Sequence, residues 1–241
     1  MKTLVNKKYL VRFSVYLLMI FFISCGDNSK ETSIPQANSN LNNTFTLKDK
    51  KIFGVQSGII EYEISGSQTG SRKLYFDDWG RKQAEYSNTT IKVGKYSKHS
   101  NLLKITNGNW QYIIDLDKST GTKRENPILE KMFELKDQMN YGEFGEQLIL
   151  VDGGFESGNE DIEGRRCRIY EFKDLKSKNW IWNWLLIKSE IQSGNVKINI
   201  NANYIRENIP IQDSVFTLPK NVLITEVDLK SLRNQTLENQ F

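Results

Sequence analysis

Between residues 58 and 116 apolar and polar side chains alternate with a period of two, and each alternating run stops at a turn signal. In Gly58 to Ser65, Ile60, Tyr62 and Ile64 share one side while Glu61 and Glu63 take the other. Ser67-Gln68-Thr69-Gly70 turns the chain into a return strand over Arg72 to Phe76, and Asp77-Asp78-Trp79-Gly80 turns it again into Lys82 to Asn88. Leu102 to Thr106 and Trp110 to Leu116 flank Asn107-Gly108-Asn109, where Asn-Gly tolerates the positive φ of a tight hairpin. Trp110, Tyr112, Ile114 and Leu116 project the same way. The pattern predicts an antiparallel meander with one dry and one wet side.

The period changes at Asn126-Pro127. Asn126 suits an N-cap, Pro127 suits a first helical turn that needs no N–H, and Glu130 favours the positive end of the helix dipole. Ile128, Leu129, Met132, Phe133 and Met139 recur at helical spacing, predicting an amphipathic helix to about Asn140. A second short helix is expected around Glu143 to Leu150, and Gly153-Gly154 with the polar run to Gly164 reads as a loop. Strands resume at Arg166 to Phe172. In the last hairpin Trp180, Trp182, Trp184 and Leu186 are expected on one face of the first arm, and Ser193-Gly194-Asn195 makes the turn. Val196, Ile198, Ile200, Ala202 and Tyr204 line one face of the second arm. Val215 to Pro219 and a strand from Asn221 to Val227 close the chain before a polar tail.

The amino terminus follows another logic. Lys2, Lys7, Lys8 and Arg12 form a basic leader without an acid, and Phe13 to Ile23 is an apolar run of about 11 residues, too short to span a bilayer. It ends at Ile23-Ser24-Cys25-Gly26, which resembles a bacterial lipobox, with Phe22 where Leu is usual. The resemblance implies cleavage before Cys25 and a diacylglyceryl thioether on its sulfur. Gly26 rather than Asp follows the cysteine, as in lipoproteins that leave the inner membrane, so an outer-membrane lipid anchor is expected. Gly26 to about Phe45 is rich in Asn, Ser, Gln and Thr and reads as a flexible tether reaching roughly 25 Å. The division is therefore 1–24 signal peptide, 25–45 lipidated cysteine and tether, and 46–241 one domain.

Removing the leader changes the charge reading. The chain carries 33 Lys+Arg against 29 Asp+Glu. The four leader cations account for the whole excess, leaving a neutral mature part and no basic patch for nucleic acid. Of the two cysteines, Cys25 is committed to lipid, so Cys167 has no partner in the chain and is expected to pack as a small apolar side chain.

Little in the sequence points to catalysis. His99 is the single histidine and sits in a polar stretch read as an exposed loop. Neither a Gly-x-Ser-x-Gly nor a Ser-x-x-Lys motif occurs, and no His/Cys cluster suits zinc. Asp115 to Gly121 is calcium-loop-like, but its Gly comes one place late and Asn126 stands where a bidentate Glu should close the loop, so a plain turn is expected. Asp77-Asp78 reads as the hydrogen-bonding part of a turn. Asp213-Ser214-Val215 matches an O-glycosylation acceptor pattern of three residues.

Tyr75 to Gly80, the strand and turn from Trp110 to Gly121, Gly164 to Tyr170 with Cys167, and Phe216-Thr217-Leu218-Pro219 together resemble the LolA/LolB-like lipoprotein-carrier superfamily over roughly residues 50–227. The resemblance implies an α+β fold: a strongly curved antiparallel sheet, an open half-barrel of about eight strands or more, with the inserted amphipathic helix closing its concave face. It also implies a non-catalytic lipoprotein that binds a hydrophobic ligand or an acylated partner and needs no cofactor or metal. The candidate cavity is lined by Trp180, Trp182, Trp184, Trp110, Tyr112, Met132 and Phe133. The alternative is a structural or interaction lipoprotein with a filled core, working through its outer surface.

Overall fold

The computed structural model describes residues 51–126, 145–146, 149–150, 153–173 and 176–227. Contacts divide the chain into two compact units, Met1–Phe45 and Thr46–Phe241, and the described residues all lie in the second. Cys25, the apolar leader and the tether are outside the described residues, as are Met132 and Phe133 and all of the expected 126–140 helix except Asn126.

One sheet of 12 strands makes up the fold. The first arm of the chain supplies β1 (Gly58–Gly66), β2 (Gln68–Asp77), β3 (Lys82–Val93), β4 (Tyr96–Asn107), β5 (Trp110–Asp115) and β6 (Thr120–Glu125). The second supplies β7 (Gly154–Ile162), β8 (Arg165–Phe172), β9 (Ser177–Trp182), β10 (Leu185–Ser193), β11 (Val196–Glu207) and β12 (Leu223–Glu226). Their order across the sheet is β12-β6-β5-β4-β3-β2-β1-β11-β10-β9-β8-β7. Two meanders are thus joined where β1 pairs with β11. All neighbours are antiparallel except β12, which returns parallel to β6.

This corrects the expected fold class. Among the described residues the architecture is all-β rather than α+β, with α-helical backbone only at Gly145, Glu146, Ile149 and Leu150. The sheet is open and mixed, and it is not the strongly curled half-barrel that was expected. Four elements escaped the alternation rule for identifiable reasons. β7, read as a loop, is an edge strand with a single neighbour, so Glu156, Asn159, Glu160 and Asp161 need no dry side. β6 is Thr-, Lys- and Arg-rich, and the polar start of β4 pairs with the equally polar end of β3. β9 and β10, read as one arm, are in fact a hairpin.

The alternation read on β1 does hold. Ile60, Tyr62 and Ile64 are at most 3% exposed, and the Asn107–Trp110 hairpin turns on Gly108 at a φ of 56°. The Asp77–Gly80 turn is a short 3-10 element in which the Asp77 carboxylate accepts from the Asp78 N–H at 2.7 Å.

The apolar core changes sides in mid-sheet. On β1, β2 and β11 the buried row is Ile60, Ile64, Leu74, Phe76, Ile198 and Ile200. Followed through the register, the same face carries Glu85 opposite Leu74, Lys104 opposite Glu85, and Gln83, Thr106 and Gln111 in the adjacent row. On β3 to β5 the apolar residues are instead on the opposite face. There Ala84, Leu103, Ile105 and Ile114 are nearly inaccessible, and Phe216 of the Asp213–Phe216 3-10 turn covers them. Val222 and Ile224 add to that cluster, which is why the chain end docks against β6.

Candidate functional site

The tryptophans were expected to form one stripe. β9 ends at Trp182, and Asn183 and Trp184 follow with φ of 48° and 62°, the left-handed pair that a two-residue type I′ hairpin requires. Asn tolerates that conformation; the tryptophan does so at a cost. The turn and a bulge between Leu186 and Lys188 separate the residues. Trp180 pairs across the sheet with Ile169 and Lys188, while Leu186 pairs with Ile181 and so lies on the other face.

Trp180 is 3% exposed and packs with Cys167, Ile169 and Ile187. Its indole Nε1–H donates to Glu160 Oε2 at 2.6 Å, and Lys188 Nζ stands 4.2 Å from the ring centroid. Trp182 joins the same cluster, with the Arg165 guanidinium 5.3 Å from its ring centre. Trp184 instead stacks on Tyr170 with centroids 6.0 Å apart. Trp110 and Tyr112 belong to the other half: Lys123 Nζ lies 3.8 Å over Trp110, and Tyr112 packs on the Phe216 cluster. β5 and β9 are seven strand positions apart, roughly 34 Å. The described residues therefore bring Trp180 and Trp182 together, leave Trp184 at a turn, set Tyr112 in the separate Phe216 cluster, and place Trp110 on the same distant strand under Lys123.

Sequence reasoning missed a second constellation, a buried charged row on β2 to β6. Glu85 lies 3.2 Å from Lys104 Nζ and 3.6 Å from Arg72 Nε, with all three side chains about 10% exposed. Burial pushes the Glu85 carboxyl up, but the two cations beside it more than offset this and hold it below its ordinary range. Burial pulls the Lys104 ammonium down to about 8, partly opposed by Glu85. Arg124 Nε donates to Gln111 Oε1 at 2.8 Å and continues the row. Tyr62 donates to the Leu186 carbonyl at 3.0 Å, and burial pushes its hydroxyl up. Only Arg72 falls on the apolar parity of its strand, in phase with Leu74 and Phe76; Glu85 alternates with Ala84, and Lys104 with Leu103 and Ile105, as wet-side residues do.

A third feature is an open depression of about 260 Å³ over β11, β1, β2, β3 and β4. Its lining includes Glu61, Lys73, Tyr86, Asn88, Asn101 and Asn203. Lys73 Nζ and Glu61 Oε1 are 2.7 Å apart. The lining side chains end in amides, hydroxyls and paired charges, and their apolar stems and rings also face the depression.

The remaining candidates resolve simply. His99 is in β4 opposite Thr90 rather than in a loop; Nδ1 is 3.2 Å from Thr90 Oγ1 and Nε2 is 3.9 Å from Asp117. Cys167 is inaccessible, and burial pushes its thiol up, away from the reactive thiolate. Asp115 accepts from both the backbone N–H and the Nζ of Lys118, at 3.0 and 2.6 Å, which makes it a turn rather than a calcium ligand. Among the described residues no three His, Cys, Asp or Glu side chains are placed to hold a metal.

No family model matches the chain, and no curated protein does. Solved structures similar to it include an uncharacterized conserved protein from Thermus thermophilus, at 6% identity over 72% of this chain and 92% of that one, with a TM-score of 0.48. PNGF-II matches at 12% identity over 77% of this chain but only 34% of its own length, with a TM-score of 0.42. A putative outer membrane lipoprotein-sorting protein domain from Vibrio parahaemolyticus matches at 9% identity over 67% and 89% of the two chains, with a TM-score of 0.29. All three TM-scores lie below 0.5, so the superpositions are loose and the functional reading stands on this chain's own residues.

Proposed function

We propose that the chain is a lipid-anchored protein of the outer membrane that works by binding, without catalysis, through the exposed face of its sheet. The observation that supports a surface over a tryptophan-lined cavity is Trp180: its ring is packed among Cys167, Ile169 and Ile187 and its N–H is satisfied by Glu160. A filled aromatic core adds stability and offers a ligand no room. The anchor rests on the Cys25 lipobox. Palmitate labelling of wild type and Cys25→Ala tests it, and equal label in both removes the anchor from the reading. For the surface, a photo-crosslinking residue at Glu63, exposed and paired with Asn201, is expected to capture envelope material in cells; no adduct there counts against it.

A second reading, a hydrophobic ligand or acylated partner held against the sheet, is supported by the buried apolar row Ile60, Ile64, Leu74, Phe76, Ile198 and Ile200 and by the sequence resemblance. Native mass spectrometry of protein purified from envelopes separates the two. A stoichiometric apolar molecule reverses their order.

A further inference from the structure

We propose that the depression on the exposed sheet face is a binding site for a neutral oligosaccharide. The inference rests on the reading that this face is the binding surface, and names the ligand class it takes.

Charge comes first. Lys73 and Glu61 close an ion pair at 2.7 Å within the depression, and the Arg72 guanidinium is turned to the other face, beside Glu85. An anionic or cationic ligand finds no uncompensated partner and would have to break that pair. A ligand that is polar but uncharged meets no such penalty.

The donors and acceptors are amides. Asn88, Asn101 and Asn203 each offer a carbonyl oxygen and an NH2 at fixed spacing, which suits adjacent hydroxyls that donate and accept together. Asn101 is already oriented, its Nδ2 donating to Asp117 at 2.8 Å. Asn203 owes its place to a bulge: Glu61 pairs with Tyr204 and Tyr62 with Ala202, so Asn203 is the extra residue of β11. Bulges re-aim side chains in this way and are common beside functional sites.

Aromatic rings stand at both ends of one cross-strand row. Tyr204 pairs with Glu61, Glu61 with Lys73, and Lys73 with Tyr86, spanning four strands or roughly 14 Å. Tyr86 is 38% exposed and Tyr204 44%, against the usual preference for burying such rings. Tyr75 meets Tyr86 edge-on at 6.1 Å and steadies it. A sugar ring presents an apolar C–H face to an aromatic ring and hydroxyls at its edge. The row therefore offers stacking at its ends with the closed Glu61–Lys73 pair between them, and the amides of Asn88 and Asn101 in the next row along β3 and β4. The volume of about 260 Å³ is below the roughly 300–1,000 Å³ of small-molecule sites, so a single sugar ring occupies the depression and its neighbours lie along the row.

The test uses full-length lipidated protein in a polyoxyethylene detergent, which has no sugar headgroup. It is applied to an array of neutral, amino and acidic oligosaccharides at low salt and at roughly tenfold higher salt. Binding to at least one neutral oligosaccharide, unchanged by salt, is expected. Tyr86→Ala and Asn88→Ala should each weaken it by about tenfold or more, the scale of one lost contact to a polar ligand. Tyr96→Ala, which alters an exposed tyrosine at the far end of β4, should leave it unchanged. No neutral ligand, binding confined to charged members, salt-sensitive binding, or equal loss in Tyr96→Ala overturns the proposal. If crosslinks at Glu63 still form in that event, the surface reading survives and only the ligand class is wrong.

Discussion

Gly145 lies directly on the ring of Trp184: a Cβ built at Gly145 would stand 2.3 Å from Cζ3 and 2.4 Å from Cε3 of the indole. Neither ring nor backbone can yield cheaply, because Trp184 is also stacked on Tyr170 and held in a left-handed turn. Gly145→Ala should therefore lower the unfolding free energy by about 1–3 kcal/mol, the range for overpacking. In the Trp184→Ala background the same substitution should cost much less. Urea denaturation of the four proteins gives the coupling, and additive effects would show that the contact is not formed in solution.

The Glu85 carboxylate sits between two buried cations. Glu85→Gln should cost about 3–5 kcal/mol, because Arg72 and Lys104 keep their burial and lose their counter-charge. Replacing Glu85 and Lys104 together, by Gln and Met, is expected to recover part of that loss. Thermal unfolding at neutral pH is the measurement.

Lys104 also sets a pH dependence. Its unfolded ammonium keeps its proton to its ordinary value of 10.5, whereas in the fold burial lowers it to about 8 against the opposing pull of Glu85, with Arg72 and Arg124 lowering it further. Between these values the unfolded chain binds more protons, so stability rises with pH across the window. The rise attributable to this residue is on the order of 3 kcal/mol. Lys104→Met should flatten it. A slope identical in both proteins from pH 8 upward would contradict the burial of Lys104.

Trp180→Phe should keep most of the packing and lose the indole hydrogen bond to the exposed Glu160 carboxylate, which water can replace, at a cost of about 0.5–1.5 kcal/mol. Trp180→Ala should cost about 3–5 kcal/mol, as for a large buried aromatic. If Trp180→Ala leaves the midpoint in urea unmoved, the ring lines a space rather than fills one, and the hydrophobic-ligand reading gains.

How much of this was legible beforehand depended on burial. Ile60, Tyr62 and Ile64 announced their strand because one side of it is dry and the other wet, and period-two alternation is the trace of that asymmetry. β7 left no such trace, since an edge strand binds its neighbour through backbone groups whatever its side chains are. The tryptophan stripe misled because spacing alone cannot register a two-residue turn: Trp180, Asn183 and Trp184 look continuous until the positive φ of Asn183 and Trp184 is seen. The charged row left little trace, because Glu85 and Lys104 alternate with Ala84, Leu103 and Ile105 as solvent-facing residues would, and only Arg72, in phase with Leu74 and Phe76, interrupts a pattern. The depression could not be read, because Asn203 comes from β11 and reaches it through a bulge, and the members on β1 to β4 are the ordinary polar residues of a solvent-facing side.

The crossing of the apolar core from one face to the other has a mechanical consequence. A ladder of backbone hydrogen bonds runs unbroken from β12 to β7, yet the Phe216 cluster and the Trp180 cluster share no side chain. Each half carries its own hydrophobic ballast, so one can loosen while the other stays shut. Amide exchange should then resolve two protected blocks with different opening energies, and the seam between them falls among β1, β2 and β3, beneath the Tyr86 depression.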